Sequence, residues 1–208
     1  MQKEIEEAAF YCREAYRRGL VGGTGGNASV RLGDTVYITP TGSRLGDIKP
    51  EALMPVSMDG TWEPSGAGAR PSKELDLHLS IYRKRADALA VLHLHPANCI
   101  AALLMQDNIE EEIPAYTPGY FCKVMRLSAV GFFAPGSPEL AQSVGEKIVH
   151  TSTLLMKNHG VIVSAKTMEQ AFNQIEDIEE NAKLHLLLRG TGALGGQEQA
   201  ILCKAFHF

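Results

Sequence analysis

His93 and His95, in Ala90-Val91-Leu92-His93-Leu94-His95-Pro96, are one residue apart. An extended backbone sends positions i and i+2 to the same side, so both imidazoles point to one place. Leu92 and Leu94 alternate with them, which predicts a packed apolar face opposite the imidazoles. A third imidazole, His159, stands in Met156-Lys157-Asn158-His159-Gly160, between two apolar stretches, where a strand should end in a tight turn. Three neutral imidazoles and a water suit zinc.

Glu74 lies before the histidine strand, at the start of an expected helix. Alone, a glutamate there only complements the helix dipole. Its company adds meaning: Gly25-Gly26-Asn27-Ala28-Ser29, Thr39-Pro40-Thr41-Gly42-Ser43 and Pro71-Ser72-Lys73-Glu74 each offer small residues, backbone amides and hydroxyls. A phosphate monoester needs such close donors, although each segment singly is equally a turn.

The elements that must position these groups follow from periodicity. Residues 2–18 carry Ile5, Ala8, Ala9, Cys12, Ala15 and Tyr16 at helical spacing, with Gly19 placed to stop the helix. Residues 28–32 and 35–39 form an expected hairpin turning at Gly33-Asp34, and 52–58 an expected strand that Pro55 confines to a sheet edge. Ser72 is the expected N-cap of a helix running to Arg85, and Pro96 the expected first residue of a helix over 97–105. Strands are expected at 128–133, 153–156 and 161–164, and helices at 138–150 and 168–188. Many strands with helices between them predict an α/β sandwich, a mostly antiparallel sheet covered by helices. A parallel barrel is not expected, since eight βα units usually need about 250 residues and their regular alternation is absent.

The 208 residues suffice for one sizeable domain, with a tail over 190–208 expected to lie over a neighbour or be partly mobile. A formal charge of −4 and a pI near 6.0 leave no basic footprint for DNA or RNA. Cys12, Cys99, Cys122 and Cys203 show no C-x-x-C spacing and no secretory leader is apparent, so reduced thiols in the cytoplasm are expected. No apolar run approaches the roughly 20 residues that span a bilayer, so no membrane role is expected.

Taken in order, Gly26-Asn27-Ala28-Ser29, Thr39-Pro40-Thr41-Gly42, Ser72-Lys73-Glu74, His93-x-His95 and Asn158-His159-Gly160 resemble the class II aldolase/adducin family over nearly the whole chain. That resemblance implies His93, His95 and His159 as ligands of zinc or of another divalent ion such as manganese or cobalt. It implies Glu74 as an acid/base that also touches the metal, and Gly26, Asn27, Thr41, Gly42 and Ser72 as phosphate contacts. A cyclic homotetramer with sites between subunits is implied too, and Tyr116 or Tyr120 is the candidate tyrosine lent by a neighbour. Family aldolases typically carry two serines before the glutamate, where this chain has Ser72 and Lys73. The extra cation resembles the branch of 3-oxo-tetronate 4-phosphate decarboxylases and suits a second anion on the substrate.

The resulting expectation is a zinc-dependent carbon–carbon lyase on a phosphorylated sugar or sugar acid, most simply a decarboxylase of a 3-oxo-tetronate 4-phosphate working through a metal-stabilised enediolate. Aldol cleavage of a ketose 1-phosphate is the alternative, and a non-catalytic interaction module of the adducin kind stands in another class. Other groups read as structural: His78, one turn after Glu74, which could also orient it; Cys99 as a packed thiol; Lys157 as structural or electrostatic; His150, His185 and His207 have no partner visible in the sequence. Glu110, Glu111 and Glu112, and Glu176, Asp177, Glu179 and Glu180, read as solvated faces.

Overall fold

The computed structural model describes residues 2–64, 68–106, 108–109, 113–124 and 127–206. Among them the helices are α1 (Lys3–Arg17), α2 (Leu75–Lys84), α3 (Ala97–Leu104), α4 (Pro118–Val124), α5 (Pro138–Lys147), α6 (Met168–Leu188) and α7 (Gly196–Phe206). The strands are β1 (Asn27–Leu32), β2 (Thr35–Ile38), β3 (Met54–Ser57), β4 (Ala90–Leu94), β5 (Leu127–Val130), β6 (Thr153–Met156) and β7 (Gly160–Ala165). They form one sheet in the order β3-β2-β1-β4-β7-β6-β5. Neighbours run antiparallel except β5 and β6, which run parallel.

Alternation along the strands feeds two cores, one on each face. Ala28, Val30, Leu92, Leu94, Val161 and Val163 pack with α1, α3, α4 and α6. Val36, Val91, Val130, Leu154, Met156 and Ile162 pack with α2 and α5. The expected sandwich is therefore the observed one. All five residues of β4 are buried, because this central strand is covered on both faces. The imidazole side of β4 is thus as packed as the Leu92–Leu94 side, Val91 lying under α2 and α5.

Local chemistry explains most boundaries. Helix α1 buries Ile5, Ala8, Ala9, Cys12 and Ala15 as one stripe. Pro55 lies on β3, an edge strand, in register with Tyr37, where its missing N–H leaves no ladder gap. Three expectations shift. Ser72 is not the cap of α2: the helix begins at Leu75 with Glu74 in the N-cap position, and Ser72 Oγ instead accepts from the Glu74 N–H at 3.2 Å in the turn before it. Pro96 occupies the N-cap position of α3, one residue earlier than expected. Strand β5 and helix α5 are shorter than the spacing suggested.

Two helices were not expected. Helix α4 starts at Pro118, a residue suited to a first turn but followed by a glycine that reads as loop. Helix α7 occupies much of the glycine-rich tail, and Leu194 just before it donates to the Ala115 carbonyl. The acidic run Glu110–Glu112 and His207 lie outside the described residues. Among the described residues no helix is long and apolar enough to cross a membrane.

The acidic face of α6 is corrected too. Glu176 pairs with Arg18 and Asp177 with Lys123. Glu179 accepts from the Asn98 and Cys99 backbone N–H groups and from Asn98 Nδ2, which caps α3 from a neighbouring helix. Only Glu180 of this set is fully exposed.

Candidate metal centre

The imidazoles of His93, His95 and His159 converge. His93 leaves the end of β4, His95 the residue just beyond it, and His159 the three-residue turn joining β6 to β7. Nε2 of His93 lies 3.0 Å from Nε2 of His95 and 3.3 Å from Nε2 of His159. Each imidazole offers one nitrogen within 4.8 Å of the others.

His93 is wholly buried, and its Nδ1–H donates to the Val161 carbonyl at 2.9 Å. That bond places the lone pair on Nε2, facing the other rings. Burial pushes all three imidazoles down from the usual histidine range, so they stand as neutral donors. Three lone pairs aimed at one point repel unless a cation lies between them. For zinc–nitrogen bonds of about 2.0–2.1 Å a tetrahedron has edges of about 3.3 Å, which matches the spacings above.

Glu74 flanks two of the three imidazoles. Its Oε2 lies 3.3 Å from His93 Nε2 and its Oε1 3.4 Å from His159 Nε2. Oε1 is buried and has no hydrogen-bond partner among the described residues, as does His159 Nδ1. A buried carboxylate oxygen left without a donor, beside three imidazole lone pairs, fits a divalent cation. Among the described residues this is the one histidine, cysteine and carboxylate grouping that could hold one.

Two glycines make the convergence sterically allowed. A Cβ on Gly160 would stand 2.2 Å from the Leu94 carbonyl oxygen and 2.9 Å from His95 Cδ2, so only glycine lets the β6–β7 turn close on β4. Gly26 has φ +72° and a Cβ there would stand 2.9 Å from the His93 carbonyl oxygen. The glycine run is therefore also what lets β1 lie against the ligand strand.

The three donor-rich segments meet beside this centre. Thr39 N donates to the Ala28 carbonyl, Ser72 N to the Thr39 carbonyl, and Thr41 N to the Arg70 carbonyl. Pro40 and Pro71 form an isolated antiparallel bridge, so the second and third segments run side by side. Thr41 and Gly42 are exposed at the rim, and Ser72 is buried. The Asn27 side chain turns inward, donating to Glu74 Oε2 at 2.7 Å. Lys73 is exposed between Ser72 and Glu74, with Gly136 packed on its backbone.

Neither tyrosine joins the triad within this chain. The Tyr116 hydroxyl lies 3.1 Å from His185 Nδ1 against α6, and Tyr120 is buried, its hydroxyl 3.4 Å from the Ile113 carbonyl. Cys99 is buried at the start of α3 beside Glu179. His78 is wholly buried and bonded to Asn27 and Ser29, a partnership that its one-turn spacing from Glu74 only hinted at.

Residues 6–186 match the family model for the class II aldolase and adducin N-terminal domain. The chain belongs to that family. It is 36% identical over 181 residues to the 3-oxo-tetronate 4-phosphate decarboxylase of Haemophilus influenzae, covering 86% of this chain and 84% of that one. It is 37% identical over 176 residues to the L-fuculose phosphate aldolase of Methanocaldococcus jannaschii, covering 85% and 92%. The crystal structure of YgbL from Klebsiella pneumoniae, described as an aldolase, epimerase or decarboxylase, superposes with a TM-score of 0.88 at 29% identity, covering 97% and 98%. Membership of the class II aldolase family, with decarboxylases and aldolases as relatives, makes the chain a metal-dependent lyase.

Proposed function

We propose that this class II aldolase-family chain is a zinc lyase that decarboxylates a 3-oxo-tetronate 4-phosphate. The observation that carries the reading is the convergence of three imidazole nitrogens, two of them within 3.4 Å of the Glu74 carboxylate, beside three segments rich in amides and hydroxyls. His93, His95 and His159 would hold the ion; zinc suits an all-imidazole set, and manganese or cobalt would fit the same donors. A bound divalent ion supplies Lewis acidity toward a carbonyl oxygen, where charge develops as the carbon–carbon bond breaks.

The residues then divide the work. Gly26, Asn27, Thr41, Gly42 and Ser72 bind the phosphate, and Lys73 meets the carboxylate. The bond between the carboxylate carbon and C2 breaks, carbon dioxide leaves, and the electron pair moves toward the C3 oxygen. Glu74, beside the ligand nitrogens, takes up a proton from water and delivers it to C2. No Schiff-base lysine is needed, which leaves Lys157 outside the chemistry.

The assembly we propose is a homotetramer whose neighbour lends Tyr116 or Tyr120. Exposed apolar side chains support an assembly, Leu187 being 68% and Ile201 66% exposed. Free thiols at Cys12, Cys99, Cys122 and Cys203 fit a reducing cytoplasm. Aldol cleavage of a ketose 1-phosphate is the second reading, favoured by the aldolase relative at similar identity. The purified metal-loaded protein, incubated with each substrate, separates them: carbon dioxide release supports decarboxylation, and an aldehyde plus dihydroxyacetone phosphate supports the aldolase. Protein that carries no divalent metal and turns over neither would favour a non-catalytic module.

A further inference from the structure

A line of buried polar side chains runs from the interior to Glu74. The Tyr82 hydroxyl lies 2.9 Å from Ser29 Oγ and 3.0 Å from the Ser29 carbonyl oxygen. Ser29 Oγ lies 2.7 Å from His78 Nδ1, His78 Nε2 meets Asn27 Oδ1, and Asn27 Nδ2 donates to Glu74 Oε2 at 2.7 Å. Ser29 and His78 are 0% exposed and Tyr82 1%, so water is shut out of these contacts.

Each link has one direction. Asn27 donates through Nδ2 to Glu74 Oε2, which leaves its carbonyl oxygen facing His78. His78 must therefore donate from Nε2. A neutral imidazole carries a single N–H, which leaves Nδ1 bare to accept the Ser29 hydroxyl proton. Burial drives the His78 imidazole down to about 3, against a smaller upward pull from Glu74, so it is neutral at any working pH. The Tyr82 proton then falls to either Ser29 oxygen, both of which accept.

Glu74 stands at the N-cap of α2 and His78 one turn into the helix, so the two side chains lie close together. Asn27 bridges them from β1, opposite His93 in the ladder. Helix, amide and imidazole thus close a rigid ring that includes the carboxylate. A flipped Asn27 amide would set its oxygen against the Glu74 oxygen and push the carboxylate away.

We propose that His78 is a positioning residue: its Nε2–H locks the Asn27 amide in the orientation that holds Glu74 against the His93–His159 edge. This rests on the lyase reading, because Glu74 is the proton carrier there. Core packing alone would be served by an apolar side chain, without two aligned hydrogen bonds.

The test compares H78Q, whose amide nitrogen can stand where Nε2 stood, with H78N, whose shorter amide reaches only the Nδ1 position. In metal-loaded enzyme, H78N should lower kcat roughly 10–100-fold with KM and bound metal changed by less than about twofold, and H78Q should restore most of it. Equal losses in both variants, or an unchanged kcat in H78N, would overturn the proposal. Should H78N fail to fold, Ser29→Ala deletes one hydroxyl and should still lower kcat several-fold at constant KM; no change would count against the chain. Nitrogen-15 NMR of histidine-labelled wild-type protein gives an independent readout: a bare Nδ1 and protonated Nε2 at His78 support the lock, and the reverse tautomer refutes it. If wild-type protein turns over neither substrate, the lyase reading fails, and the tautomer still decides the lock.

Discussion

Asn27 and His93 face one another across the β1–β4 ladder. The amide that grips Glu74 and the imidazole that Glu74 approaches at 3.3 Å are therefore set by the same backbone pairing. Cross-strand partners hold their side chains about 5 Å apart, close enough for acid and ligand to act on one small molecule.

Removing a ligand should remove the metal before the fold. His159→Ala empties a turn position that is partly solvated, so the protein should stay folded while its bound divalent metal falls well below one per chain. Elemental analysis alongside circular dichroism checks this; full metal occupancy in the variant would take His159 out of the centre.

Gly160→Ala should act on the centre through the turn backbone. The added methyl meets the Leu94 carbonyl, so the turn must retreat from β4 and carry His159 with it. A loss of about 1–3 kcal/mol in stability is expected, with weakened metal affinity. Denaturant melts and metal titration measure the two effects, and a neutral result in both would show that the turn can shift freely.

Glu74→Gln keeps the size and the Asn27 contact region but cannot carry a proton. Turnover should fall roughly 10²–10⁴-fold while metal stays bound. Unchanged turnover would assign the proton transfer to another group.

Lys73→Met tests the substrate's second anion. KM for a carboxylate-bearing phosphate should rise roughly threefold to tenfold, below a full charged hydrogen bond because the lysine is exposed. KM for a ketose phosphate that lacks a carboxylate should not move, and equal effects on both substrates would place Lys73 at the phosphate.

Acid should destabilise the protein through His78. Desolvation lowers its folded value to about 3 from an ordinary 6.5. Below 6.5 the unfolded chain takes up a proton that the folded chain refuses, so stability is full above about pH 6.5 and declines as pH falls toward 3. H78Q should show a flatter profile of melting temperature between pH 6 and pH 4 than the wild type, and parallel profiles would remove His78 as the source.

Much of this was legible in residue order. The His-x-His spacing, the turn that presents His159, the edge strand marked by Pro55 and helix α6 all follow from local rules of strand alternation, turn chemistry and helical period. What could not be read is non-local. His78 and Asn27 are far apart along the chain and meet only because α2 packs over β1, so neither advertises the other. Glu179 reads as a wet helix face until α3 brings its unsatisfied N–H groups to it. Helix α4 was hidden by Gly119, whose turn signal outweighs Pro118 in any short window.

The position of β4 in the middle of the sheet also dictates when the centre can exist. Its partner β7 comes from late in the chain, so the long loop between them must close before His93 and His95 share a neighbourhood with His159, while pairing with β1 brings Asn27 to the same place. A half-folded chain carries the three imidazoles without the arrangement that brings them together.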